Sequence, residues 1–256
     1  LCLLLKKSKK PLIIAGNGVK QSGIASDLYK IIKFFSIPLM TSRLANDVYS
    51  HNDKFILGLA GIKGSRYCKQ IMEESDLILS LGCRMAPQLV GHNFNIFKKA
   101  KIISVDVEND ELLKRGCKID IPINMNLVKF IPFFKNLLKK NKVTNYKPWL
   151  LKCQLLKKNK PMINKSYFKD PIDLYFFMHK IDEITTDKNI LITDAGSNYY
   201  VGGQVWHFTK GQKELTSGTN AAMGLSIPLS IGAAIAEPSK QIFAVTGDGS
   251  LELNIQ

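Results

Sequence analysis

Three short stretches of this sequence hold residue types that can do chemistry. Gly247, Asp248, Gly249 and Ser250 end the apolar run 241–246, and Asp194-Ala195-Gly196-Ser197-Asn198 ends the run 189–193. Between them, Ser217-Gly218-Thr219-Asn220-Ala221-Ala222-Met223-Gly224 leads into an Ala/Gly-rich stretch. A carboxylate at the tip of a parallel strand lies at the edge where open α/β sheets bind ligands. The flanking glycines let the backbone approach a bound group closely, and the N-terminus of a following helix favours phosphate. One carboxylate plus the phosphates of a bound molecule is the usual way to hold Mg²⁺. Gly-Asp-Gly is also an ordinary turn, so alone it reads equally well as structure. Three strand-to-helix turns made of small residues, all in one sheet, describe a ligand site at one edge.

Those turns need elements to position them. Residues 11–16 predict a buried strand meeting a glycine turn, and 24–35 carry Ile24, Leu28, Ile31, Ile32 and Phe35 at helical spacing. Residues 76–82 and 101–107 predict further strands, with helical stretches near 67–74 and 93–99. Residues 127–138 predict an apolar helix despite Pro132. Residues 141–170, rich in Lys and Asn and broken by Pro148 and Pro161, suit a linker with one short helix around 149–156. Asp170-Pro171 reads as an N-cap followed by proline at the first helical position, with the helix running through Leu174, Met178 and Ile181. An Ala/Gly-rich helix is expected over 221–236. Alternating strands and helices predict an α/β fold of two parallel-sheet, three-layer domains, the second incomplete. The expected boundaries are 1–140 for a central Rossmann-like domain, 141–170 for the linker and 171–256 for the second domain.

Composition narrows the function classes. The 256 residues are 45% hydrophobic and 22% charged, which excludes disordered and disulfide-dependent miniature classes. No apolar stretch approaches the roughly 20 residues that span a bilayer, and Leu1 to Leu5 precede their lysines, the reverse of a signal peptide. The first residue is not Met and the last residues stop in mid-pattern, so an internal piece of a longer chain is expected. The net charge of +15 invites a nucleic-acid reading. Its source is lysine, however, in short scattered groups at 6–10, 98–101, 139–142 and 157–160. Arg43, Arg66, Arg84 and Arg115 are the only arginines, where nucleic-acid contacts draw on arginine. No nucleic-acid or membrane partner is expected. Five cysteines without a C-x-x-C pair, and His51, His92, His179 and His207 far apart, predict no zinc or disulfide framework and a cytoplasmic protein.

The motifs taken together resemble the thiamine diphosphate (ThDP) dependent enzymes, and among them the large subunit of acetolactate synthase. GDGSLELNIQ, residues 247–256, is similar to the family's diphosphate-anchoring motif, and 217–233 match its Ser-Gly, Met-Gly, Pro and Ile-Gly-Ala pattern. PLIIAGNGVKQSG and DLILSLGCRM are similar to parts of the family's central domain. The resemblance implies ThDP and Mg²⁺ as cofactors, with Asp248 on the metal. Gly247, Gly249 and Ser250 would lie against the diphosphate, as would Gly196, Ser197 and Asn198 of the other phosphate turn. Met223 would be the apolar prop beneath the cofactor, with Ala221 meeting the aminopyrimidine. The phosphate turn typically reads Gly-Gln-His-Gln, so Ser197, Asn198 and Tyr199 depart from it.

The same resemblance implies a transferase of branched-chain amino acid biosynthesis that decarboxylates pyruvate and passes the two-carbon unit to a second 2-oxo acid. A homodimer or homotetramer is implied. The alternatives are a ThDP decarboxylase or lyase of another 2-oxo acid, and a non-catalytic relative keeping only the fold. No catalytic residue is assigned: the activating glutamate is expected in a domain before Leu1, and the second Mg²⁺ ligand beyond Gln256. Glu252 and Asn254 fill neither role, and the chain by itself is expected to be inactive and to bind ThDP weakly. Gly16-Asn17-Gly18 falls short of an NAD fingerprint, because Gln21 stands where the third glycine belongs. FAD stays open for the central domain: Gly61, Lys63, Gly64 and Arg84 occupy the matching stretches, but Met85-Ala86-Pro87-Gln88 replace the family's acidic pair. Otherwise Arg84 is a solvent-facing or domain-interface arginine.

Overall fold

The apolar runs of the first half assemble into one parallel sheet. The computed structural model describes residues 1–91, 95–97, 99–114, 116–143, 145–164 and 172–256. Its first six strands are β1 (Pro11–Ala15), β2 (Leu39–Thr41), β3 (Ile56–Leu59), β4 (Leu77–Leu81), β5 (Lys101–Asp106) and β6 (Ile121–Asn124). They lie in the order β3-β2-β1-β4-β5-β6, all parallel. β1 and β4 are buried at every position, which is why they read as unbroken apolar runs and not as alternating ones. Leu12, Ile14, Ile78 and Ile102 enter one core with Ile71, Trp149 and Cys153. The intervening Ile13, Leu79 and Ile103 are equally buried on the opposite face. The helix Ala25–Phe35 buries Leu28, Ile31, Ile32 and Phe35, the stripe that its spacing predicts. Leu127–Lys140 forms a helix that continues through Pro132 and buries Phe130, Ile131, Phe134 and Leu138.

The stretch 141–170 contains the helix Lys147–Asn159, whose Trp149, Leu150 and Cys153 are buried. Trp149 Nε1 donates to Pro11 O at 3.0 Å and Tyr146 Oη to Leu5 O at 2.8 Å. The helix therefore belongs to the first unit, residues 1–48 and 53–161, and the second unit comprises 49–52 and 162–256. Lysines on the solvent side of this helix give the stretch its linker-like composition. Asp170-Pro171 lies outside the described residues, as do residues 93, 94 and 98 of the stretch 93–99; Asn95–Phe97 is a single 3₁₀ turn. Asp173 caps the helix Leu174–Glu183, its Oδ1 accepting from Tyr175 N at 2.8 Å and Phe176 N at 3.3 Å.

The second unit contains β7 (Asn189–Thr193), β8 (Lys213–Thr216) and β9 (Gln241–Val245), parallel in the order β8-β7-β9. β7 is buried throughout. Leu191 packs with Met178, Val201, Val205, Trp206 and Phe208, residues of the helices Leu174–Glu183 and Ser197–Val205 and the segment after them. Ile190 and Ile192 pack with Ala233 and Leu229 of the helix Ser226–Ala236. Helices thus cover both faces, the three-layer arrangement expected of a parallel sheet. The helix expected over 221–236 begins only at Ser226. Ala221 (φ 48°) and Gly224 (φ 82°) take the left-handed conformation, which a right-handed helix cannot include.

The order of the six-stranded sheet reverses between β1 and β4, and there the chain packs backbone on backbone. Gly16 N donates to Leu81 O at 2.9 Å and Gly18 N to Gly82 O at 3.0 Å. A Cβ on Gly16 would lie 2.0 Å from Gly82 O. Gly16→Ala is expected to destabilise the first unit by about 2–3 kcal/mol, seen as a lower urea midpoint at unchanged slope. Gly232→Ala, in a helix where a Cβ meets nothing within 4 Å, is the contrasting case and should gain about 0.5–1 kcal/mol.

Candidate functional site

Each strand of the second sheet ends in one of the turns singled out by sequence. β7 passes through Asp194-Ala195-Gly196 into the helix Ser197–Val205, and β9 passes through Thr246-Gly247 into Asp248–Leu253. β8 passes through Ser217, the 3₁₀ turn Gly218–Asn220 and residues 221–225 into Ser226–Ala236. Parallel strands joined by crossovers bring all three turns to one edge. That edge holds Gly196, Ser197, Asn198, Ala221, Met223, Gly247, Asp248, Gly249 and Ser250.

The edge is open where a ligand's backbone contacts would be made. A side chain placed on Gly196 (φ 95°) or Gly247 would meet nothing within 4 Å, and on Gly249 it would meet only Met223 Cε at 3.8 Å. Ser197 and Asp248 are exposed, and Ser250 is buried. Met223 is 49% exposed, an apolar side chain left at the rim of the site. Asn198 is buried and its Oδ1 lacks a hydrogen-bond partner. A buried amide oxygen in that state is costly. The Asp248 carboxylate accepts from Gly249 N at 2.8 Å and otherwise faces solvent, as a ligand for a hard cation should. Among the described residues no group of three or more His, Cys, Asp or Glu side chains could hold a metal ion. A cation here fits only jointly with oxygens of a bound phosphate, the coordination Mg²⁺ prefers.

One residue that sequence reasoning left out of the site organises it. Asp194 is buried at the end of β7. Its Oδ1 accepts from Ala195 N at 2.7 Å and Gly224 N at 3.0 Å. Its Oδ2 accepts from Ser226 N at 2.9 Å and Thr246 Oγ1 at 3.4 Å. Burial pushes this carboxyl up, but the amides of Ser226, Ala195 and Gly224 outweigh burial and hold it below its ordinary value. Asn254, too close in sequence to Asp248 to share its metal, donates from Nδ2 to Gly224 O at 2.9 Å. The signal that could have found Asp194 is the one that found Asp248, a carboxylate closing an apolar strand.

The corresponding edge of the first sheet differs. The Gly16 and Gly18 amides are spent on Leu81 O and Gly82 O, so they do not fit a dinucleotide phosphate. Arg84, 63% exposed, pairs with Glu111 through Nε at 2.6 Å and Nη2 at 2.5 Å. That guanidinium holds the Glu111 carboxyl below its usual range. Among the described residues no helix is long and apolar enough to cross a membrane.

Two family models match the chain. The thiamine pyrophosphate enzyme central domain covers residues 1–132, and the thiamine pyrophosphate enzyme C-terminal TPP binding domain covers 194–256. The chain is 30% identical over 273 residues to a probable acetolactate synthase large subunit of Methanococcus aeolicus, across 99% of this chain and 44% of that protein. It is 30% identical over 255 residues to the acetolactate synthase large subunit of Lactococcus lactis, across 98% and 43%. Similarity to the chloroplastic acetolactate synthase 1 of Nicotiana tabacum is 27% over 256 residues, across 99% and 38%. The chain spans less than half the length of these relatives.

Since the folded Asp194 is harder to protonate than the unfolded one, its ionised form stabilises the second unit above the ordinary carboxyl value of 3.8. That contribution disappears as pH falls through the lower folded value. Asp194→Asn is expected to cost about 2–4 kcal/mol at pH 7 and to flatten the acid limb of stability, as thermal melts across the acid range would show.

Proposed function

The chain belongs to the thiamine pyrophosphate enzyme family, and from that premise we propose that its second unit anchors the diphosphate end of ThDP through Mg²⁺. The observation that carries this reading is the open ground at Gly196, Gly247 and Gly249 beside an exposed Asp248 and a half-exposed Met223. Asp248 holds the metal, and the backbone at Gly247 and Gly249 with Ser250 lies along the diphosphate. Gly196, Ser197 and Asn198 approach it from the neighbouring turn. Met223 presents an apolar surface to the cofactor rings, and the backbone at Ala221 meets the aminopyrimidine.

Bound ThDP supplies an electron sink, which lets a 2-oxo acid lose carbon dioxide and pass its remaining two-carbon unit to an acceptor. The protein's part is position and charge: Asp248 with its metal neutralises the diphosphate, and Met223 keeps water from one side of the rings. By likeness to the acetolactate synthase large subunits, the donor is pyruvate and the acceptor a second 2-oxo acid, in a transferase of branched-chain amino acid biosynthesis. Exposed Ile231 (59%) and Ile235 (77%) on a nearly all-apolar helix support a homodimer or homotetramer in which that face is covered. Five free cysteines, four of them buried, support a reducing cytoplasm. The Ser197-Asn198-Tyr199 departure favours, as second reading, a decarboxylase or lyase of another 2-oxo acid.

Calorimetry with ThDP in the presence and absence of Mg²⁺ tests the anchor. Binding should require the metal and weaken about 100-fold in Asp248→Ala; equal affinity for thiamine without its diphosphate would sink the reading. In a protein that also supplies the activating glutamate, product analysis with pyruvate separates the two activities, acetolactate for the first and an aldehyde for the second. The 256-residue chain alone is expected to turn over neither, since the glutamate that activates the aminopyrimidine has no counterpart assigned in it.

A further inference from the structure

We propose that Asp194 and Asn254 are positioning residues that grip the Gly224 peptide from both sides and so set Met223 against the cofactor rings. The proposal rests on the ThDP reading of the site. Gly224 N donates to Asp194 Oδ1 at 3.0 Å, and Gly224 O accepts from Asn254 Nδ2 at 2.9 Å. The first bond fixes the peptide plane that joins Met223 to Gly224, and the second fixes the plane that follows. Gly224 needs φ 82°, and a Cβ there would come 2.5 Å from Asn254 Nδ2 and 3.1 Å from Ser250 O. The turn therefore lies directly on the segment that starts at Asp248.

This arrangement ties the two ends of the cofactor site together. Asn254 directly follows the helix Asp248–Leu253, so the element that presents the metal ligand also holds the residue next to the apolar prop. Met223 Cε reaches within 3.8 Å of where a Cβ on Gly249 would lie, which places the prop beside the diphosphate turn. Asp194 fixes the same loop from the sheet side through Gly224 and Ser226, and reaches β9's turn through Thr246. Losing the Asn254 grip lets Met223 shift, while Asp194 still holds the turns after β7 and β9 that carry the diphosphate anchor.

The test compares two probes on the full chain with Mg²⁺: ThDP, which engages both ends of the site, and inorganic pyrophosphate, which engages the anchor alone. Asn254→Ala should weaken ThDP about five- to tenfold and leave pyrophosphate within about twofold. In the unliganded chain, hydrogen exchange at the Gly224 and Ser226 amides should speed up. Asn254→Asp, which cannot donate to Gly224 O, should behave no better than alanine. Unchanged affinity for both probes overturns the clamp while leaving the ThDP reading intact. Equal weakening of both overturns it as well, since Asn254 would then merely hold the fold. A wild-type chain that binds pyrophosphate but gains nothing from the thiamine rings overturns both. Asp194→Asn, which also loosens the turns after β7 and β9, should weaken both probes, ThDP more than pyrophosphate; if that variant fails to fold, Asn254→Ala decides alone.

Discussion

The second unit depends on one buried carboxylate. Taking an ion out of water costs several kcal/mol unless donors replace the lost hydration, and Asp194 is served by three backbone amides and one hydroxyl. Those donors come from its own turn, from the loop after β8 and from the end of β9. None of the three turns can shift without leaving the charge short of a partner. The requirement reaches back into local conformation. For the amides of Gly224 and Ser226 to converge on one side chain, the backbone must turn left-handed at Gly224, and the helix can start only at Ser226.

Asp248 shows what the same residue type does under the opposite conditions. It too follows an apolar strand at the same edge, but it is exposed and accepts from Gly249 alone. A carboxylate that stays hydrated retains lone pairs for a cation, whereas one saturated with amides has none to offer. Burial and donor count thus leave two aspartates of one sheet in opposite states, one a saturated structural tie and the other hydrated and exposed. The glycines around them divide in the same way. Gly224 is pinned between Asn254 and Ser250, while Gly196 and Gly247 border empty space.

The first unit applies the same topology to a different end. Its strand order also reverses, which is where parallel sheets commonly receive ligands, yet Gly16 and Gly18 are pressed against Gly82 with their amides satisfied. Glycine there serves close packing of strand ends. Arg84 and Glu111 neutralise one another at the surface beside it.

Periodicity and apolar runs were enough to find most of the framework, because burial on both faces of a parallel sheet writes itself into composition. β1, β4, β5 and β7 follow from that burial, β9 follows from its apolar run although it is only partly buried, and the helices Ala25–Phe35 and Leu127–Lys140 follow from their apolar spacing. The short strands Leu39–Thr41, Ile56–Leu59, Ile121–Asn124 and Lys213–Thr216 do not, since three or four residues carry too little pattern and exist because a neighbouring strand offers them an edge. The short helix expected around 149–156 is present as Lys147–Asn159, but its exposed lysines dominate the composition, and only tertiary contacts such as Trp149 to Pro11 and Tyr146 to Leu5 show that it belongs to the first unit. In the site, Gly-Asp-Gly and the small-residue turns were legible because close backbone approach demands those residue types. That Asp194 is buried and saturated while Asp248 stays exposed was decided by the tertiary structure. Burial and hydrogen-bond count depend on residues that lie far apart in the chain and meet only in the folded sheet.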